Sequence, residues 1–173
     1  MEKFLNGFFY NPTRGNLTLL QVMEEMVRYM KVKPDKFYDI IVGCDSSSGE
    51  RFSFPVAIVI LRVGEGGRFF LKKISYPTSV LKKRFSNWKM RILEEVLLSC
   101  QLALLLREKF EKRINKEPTL FNYQLRYIHA DIGENGKTKD MIREVTGLIR
   151  GNGFEPKIKP EAYVASVVAD RYS

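Results

Sequence analysis

Apolar positions fall along the chain in blocks of two different periods. In residues 18–31 (TLLQVMEEMVRYMK), Leu19, Val22, Met23, Met26, Val27 and Met30 recur at helical spacing. Thr18 stands where an N-cap belongs, so a helix is predicted there. Pro34 and Asp35 break it. The run Tyr38–Asp45 (YDIIVGCD) is a buried strand ending in the turn-rich SSSGE, and Phe52–Val63 is a second strand that tolerates Pro55 near its start. GEGG at Gly64–Gly67 signals a hairpin, and Arg68–Ser75 is the third strand. A long helix follows from about Ser86 to Lys112. Tyr123–Ile132 is a fourth strand, and residues 138–149 form another helix that Gly151-Asn-Gly153 stops. Phe154–Lys159 is a fifth strand, and Pro160 opens a last helix, Glu161–Asp170.

The order is β-β-β-α-β-α-β-α after a leading helix. Three hairpin-linked strands followed by helical crossovers predict an α/β fold with a five-stranded mixed sheet, and right-handed crossovers set the fourth strand parallel to the first. Repeats, low-complexity tracts and linkers are absent from the sequence. It reads as one domain over 1–173, with 1–37 a helical extension packed on it.

Placed on this frame, the acids become informative. Asp45 ends the first strand and Asp131 ends the fourth, so parallel pairing sets the two carboxylates side by side at the sheet edge where α/β folds hold ligands. Adjacent carboxylates repel, and a divalent cation relieves that repulsion. The long helix offers Glu94 or Glu95. Glu94, Gln101 and Glu108 share a stripe spaced by seven, read as the polar face. Glu95 lies about 100° further round, in line with Trp88, Ser99, Leu102 and Leu106, and is the better candidate. The last helix offers Asp170 or Glu161. Each acid also has an ordinary reading: Asp45 and Asp131 precede turns they could cap, and Asp170 and Glu95 could be solvated surface groups. His129 shares a strand face with Asp131 and Tyr127. Its two readings are a group that orients a water or holds a phosphate, and a half-buried ring with a backbone partner.

Composition narrows the class. The 173 residues are 45% hydrophobic, enough for a core and too apolar for a disordered chain. Two cysteines, Cys44 and Cys100, cannot build a disulfide framework and suggest a reducing, cytoplasmic setting. With one histidine they also fall short of a closed zinc site. No apolar run is long enough to span a membrane, and MEKFLNGFF is too short a run for a signal peptide. The formal charge is +9, and from Gly66 to Leu93 there is no acid at all. Lys72, Lys73, Lys82, Lys83 and Arg84 in that stretch, with Lys137 further on, are candidates for contacting nucleic-acid phosphates; the alternative is a solvated basic face. Gly136-Lys137-Thr138 imitates the end of a P-loop, but the loop's first glycine would fall on Asp131, whose charge would repel phosphates.

The segments FFYNPTRGNLT (8–18), VGCDSSSG (42–49), HADIGENGKTKDMI (129–142) and RGNGFEPKIKPEAYVASVVADRYS (150–173) resemble the YkuK-like family of bacterial ribonuclease-H-like proteins. That resemblance implies a ribonuclease-H-like fold with four carboxylates: Asp45, Glu95, Asp131 and Asp170. They would hold Mg²⁺ or Mn²⁺ for two-metal cleavage of a nucleic-acid backbone. Asp45 and Asp131 match by position and motif, the two helix acids by order only. The competing expectation is a non-catalytic module on the same fold that binds nucleic acid or docks a partner.

Overall fold

A computed structural model of the chain describes residues 2–46, 52–164 and 168. A short helix, α1 (Glu2–Leu5), leads into a hairpin of β1 (Phe9–Asn11) and β2 (Gly15–Leu17). Helix α2 (Leu19–Val32) follows. Thr18 caps it as predicted: its hydroxyl accepts the Gln21 N–H, and the Gln21 side chain accepts the Thr18 N–H in return. The meander is β3 (Phe37–Cys44), β4 (Phe54–Arg62) and β5 (Gly66–Ile74). After it come α3 (Thr78–Arg84), α4 (Trp88–Ile114), β6 (Asn122–Gln124), β7 (Tyr127–Ala130), a single 3-10 turn at Lys139–Met141, α5 (Ile142–Gly151) and β8 (Glu155–Lys157).

Among the described residues all eight strands join one sheet. Its order is β2-β1-β5-β4-β3-β7-β8, with β6 also paired to β3. The meander is antiparallel, and β6, β7 and β8 run parallel to β3. The predicted mixed architecture therefore stands, but five strands become eight, for two reasons. Residues 1–37 are more than a helical extension: their hairpin adds two strands at the β5 edge, where Tyr10 pairs with Leu71. The expected fourth strand is also split. From Asp39 to Val42, β3 advances three residues while its partner advances four, from Gln124 to Ile128, so one extra residue bulges between β6 and β7. Arg107 of α4 occupies the Leu125 carbonyl at that bulge.

Alternation along β3 explains the two faces. Tyr38, Ile40, Val42 and Cys44 point to the side covered by α2 and α4, where the main core sits. Ile41 points to the opposite face and clusters with Ala57, Val59, Leu71 and Val164. The start of the last segment thus lies on the second face. Of the predicted helix Glu161–Asp170, only 161–164 and 168 are described.

Candidate active site

Cys44 of β3 and Ala130 of β7 are register partners on adjacent parallel strands. Asp45 and Asp131 directly follow them, so both acids leave the same end of the sheet side by side, as the sequence predicted. Asp45 extends the ladder by donating its N–H to the Pro55 carbonyl at 3.3 Å. Helix α4 crosses above and sets Glu95 and Asp131 around one small closed gap, with Cys44, Ser99 and His129 also lining it.

Glu95 is 7% exposed. Its Oε1 accepts the Ser46 N–H at 3.0 Å, which ties the helix to the residue after Asp45. Burial pushes its carboxyl up to about 8, and the neighbouring charge of Asp45 pushes the same way. Hydrogen bonds from Ser46 and the charge of Arg91 oppose them without prevailing. Arg91, one turn earlier, directs Nε (3.2 Å) and Nη2 (2.8 Å) at the Ser46 hydroxyl and lies over the Phe52 ring.

Glu94 departs from the expected polar stripe. It is buried, accepts the Tyr76 hydroxyl, and pairs with Arg84 at 3.2 Å. The cause is α3, absent from the predicted elements, together with the edge-packed rings of Phe52, Phe54, Tyr76 and Phe85. They cover the start of α4 on the side that helical periodicity assigned to solvent. Further along the same stripe Glu108 is exposed.

Asp131 gives Oδ2 to the Lys159 ammonium at 3.0 Å, while Oδ1 is buried with no hydrogen-bond partner. His129 takes the second of its two readings. It is buried, its Nδ1 accepts the Val164 N–H at 3.2 Å, and its ring meets Tyr163 edge-on. Burial and the charge of Lys157 lower its pKa to about 4, so the ring is neutral at pH 7. Glu161 is exposed and paired with Lys157. Asp170 lies outside the described residues.

The basic candidates separate. Lys72 is a correction: it is buried under the N-terminal segment, donates to the Asn6 carbonyl, and faces the Phe9 ring, so it does not belong to an open phosphate-binding face. Lys73, Lys82, Lys83 and Lys137 are exposed. Arg84 is exposed in part but committed to Glu94. Sequence reasoning counted Arg91 only among the cations of the acid-free stretch and passed over Lys159. Both were within reach of it: Arg91 precedes Glu95 by one helical turn, and Lys159 ends the predicted fifth strand.

Hard carboxylate oxygens, one of them a buried acceptor without a partner, fit Mg²⁺ or Mn²⁺ in kind. Among the described residues no group of three His, Cys, Asp or Glu side chains comes together tightly enough to hold a metal ion.

A mixed sheet with antiparallel leading strands, a long helix across it, and acids at the ends of neighbouring parallel strands defines the ribonuclease-H-like class. The family model described as "Ribonuclease H-like" matches residues 21–173, and the chain belongs to that family. It is also similar to the uncharacterized protein YkuK of Bacillus subtilis (strain 168), with 29% identity over 175 residues, 95% of this chain and 96% of that protein. No solved structure is a significant match to the chain. Among the described residues no helix is long and apolar enough to cross a membrane.

Proposed function

We propose that this chain is a nuclease that hydrolyses nucleic-acid phosphodiesters with Mg²⁺ or Mn²⁺ held by Asp45, Glu95 and Asp131, with Asp170 as the fourth acid. The observation that carries this reading is the meeting of β3, β7 and α4, which gathers three acids from distant parts of the sequence at one sheet edge. When bound, divalent cations supply nucleophile activation and charge neutralisation at the phosphate. Asp45 and Asp131 offer carboxylate oxygens from the positions just past β3 and β7. Glu95 gives up its proton when positive charge arrives beside it. Arg91 holds its guanidinium at the hydroxyl of Ser46, the residue after Asp45, where it can meet a phosphate oxygen.

The test is a panel of labelled RNA, DNA, RNA–DNA hybrid and four-way junction, each with Mg²⁺, Mn²⁺ or a chelator. Cleavage of at least one substrate that the chelator stops is the expected result. A module that binds nucleic acid without cutting is the second reading, favoured by the lack of a three-ligand group among the described residues. Binding without cleavage in both metals would establish it.

The exposed lysines of α3 carry a separate expectation. Each phosphate contact displaces condensed counterions, with a slope of log K against log salt of about −0.9 per contact on duplex. Lys82→Ser with Lys83→Ser is expected to flatten that slope by roughly two units, equally for unrelated sequences. An unchanged slope in a salt titration would make these lysines a solvated face. Arg84 is left out because its removal would strand the buried Glu94 carboxylate.

A further inference from the structure

We infer that Trp88 is a stacking platform for an unpaired base, so that the nucleic acid taken up by this chain is single-stranded where it meets the start of α4. The inference rests only on the nucleic-acid binding common to both readings above and requires no metal ion.

Trp88 is the one tryptophan of the chain and the first residue of α4. Its turn is held in place, because the Asn87 side chain caps the helix by accepting the Lys89 N–H at 2.9 Å. Neighbouring aromatic rings belong to the core. Phe52, Phe54, Tyr76 and Phe85 pack into one another, and Phe85 is 1% exposed. Trp88 takes no part in those contacts and is 38% exposed. Tryptophan is on average a well-buried residue, so a ring left partly in water on a capped helix is poised to meet a partner.

The surroundings select that partner. Lys82 and Lys83 lie exposed in the last turn of α3, and Lys89 holds its ammonium 5.7 Å from the centre of the Trp88 ring. No acid occurs between Gly66 and Leu93. An apolar ring within a cationic surface suits a partner that carries phosphates and flat bases together. The ring also stands in line with the candidate site. Trp88, Arg91 and Glu95 recur at i, i+3 and i+7 and share one stripe of α4. At about 1.5 Å per residue, Trp88 lies about 10 Å along the helix axis from Glu95. Between them Arg91 sets its guanidinium on the Ser46 hydroxyl. A strand laid along this stripe puts a base on Trp88 and a phosphate at Arg91. Stacking selects single strands, because paired bases inside a duplex already cover one another's faces. Every base has such a face, so the platform accepts any sequence.

Fluorescence anisotropy with labelled strands, and the emission of Trp88 with unlabelled ones, test this in the presence of a chelator. The probes are oligothymidylate, an abasic strand of the same length and a long blunt duplex. Wild type is expected to bind oligothymidylate with quenching of the emission. Trp88→Ala is expected to bind it about 5- to 150-fold more weakly, the range for one stacked base. Trp88→Phe keeps a stacking ring and recovers most of the loss. On the abasic strand and on the duplex, wild type and Trp88→Ala bind alike. The slope of log K against log salt is the same in both proteins, because stacking releases no counterion. Equal affinity of wild type and Trp88→Ala for oligothymidylate overturns the inference and leaves nucleic-acid binding standing. An equal loss on the abasic strand or the duplex also overturns it, because the ring then only keeps the surface in shape. No binding of any strand by the wild type, with the chelator or with Mg²⁺, overturns the inference and both readings together.

Discussion

Glu95→Gln is expected to raise the melting temperature of the metal-free protein at pH 7 to 8 and to leave it nearly unchanged at pH 4. Burial, with Asp45 beside it, holds the folded carboxyl near 8, against 4.5 for an ordinary glutamate. Between those values the folded protein keeps a proton that the unfolded chain has released. Stability therefore falls as pH rises through that window, by ~1.4 kcal/mol per pH unit. At pH 7 the accumulated loss is on the order of 3 kcal/mol. Gln cannot ionise and still offers an oxygen to the Ser46 N–H. For a domain of this size each kcal/mol moves the melting temperature by about 2–4 °C, which gives a gain of about 6–12 °C. Glu94→Gln should have the opposite sign at neutral pH, because that carboxylate is matched by Arg84 and Tyr76 and its loss costs about 1–3 kcal/mol. Scanning calorimetry across pH 4–8 decides the matter. A Glu95→Gln gain of the same size at both ends would mean that ionisation is not its source.

Asp45→Asn is expected to abolish two responses at once while the protein remains folded. The first is cleavage, which should drop by at least ~100-fold, the scale of removing one group that stabilises charge in a transition state. The second is the rise in melting temperature with Mg²⁺ or Mn²⁺, about 2.7 kcal/mol of stability at a hundredfold excess over Kd in the wild type. Asn keeps the size of the side chain and the backbone bond to Pro55. Far-UV circular dichroism and a single cooperative melt separate loss of the site from loss of the fold. A wild-type metal shift that persists in the variant would remove Asp45 from the cation's shell.

Long-period features were legible in the sequence. The apolar run of β3, the Thr18 cap and the crossover topology each follow from local patterning or chain connectivity, and together they placed Asp45 beside Asp131. Features made by tertiary cover were not. Phe9–Asn11 and Gly15–Leu17 are too short to show strand alternation and become strands because β5 offers them an edge. Lys72 reads as a surface charge until that N-terminal segment buries it. Glu94 reads as solvated until α3 and four aromatic rings close over it. The bulge between β6 and β7 leaves no mark either, since the apolar pattern runs on through Leu125. Within the site, the sequence signalled the anionic groups and missed Lys159, a cation set in place by strand pairing.

The two margins of the sheet bear on self-association. Among the described residues both terminal strands, β2 and β8, are three residues long. In β8 the Glu155 N–H turns inward to the Arg126 carbonyl, so by alternation the middle residue turns its nitrogen outward. That residue is Pro156, which has no hydrogen to donate. A strand arriving from another molecule would find a gap in the ladder at its centre and little length on either side to compensate. This margin is a poor template for cross-β growth, even though the strands behind it are among the most apolar in the chain.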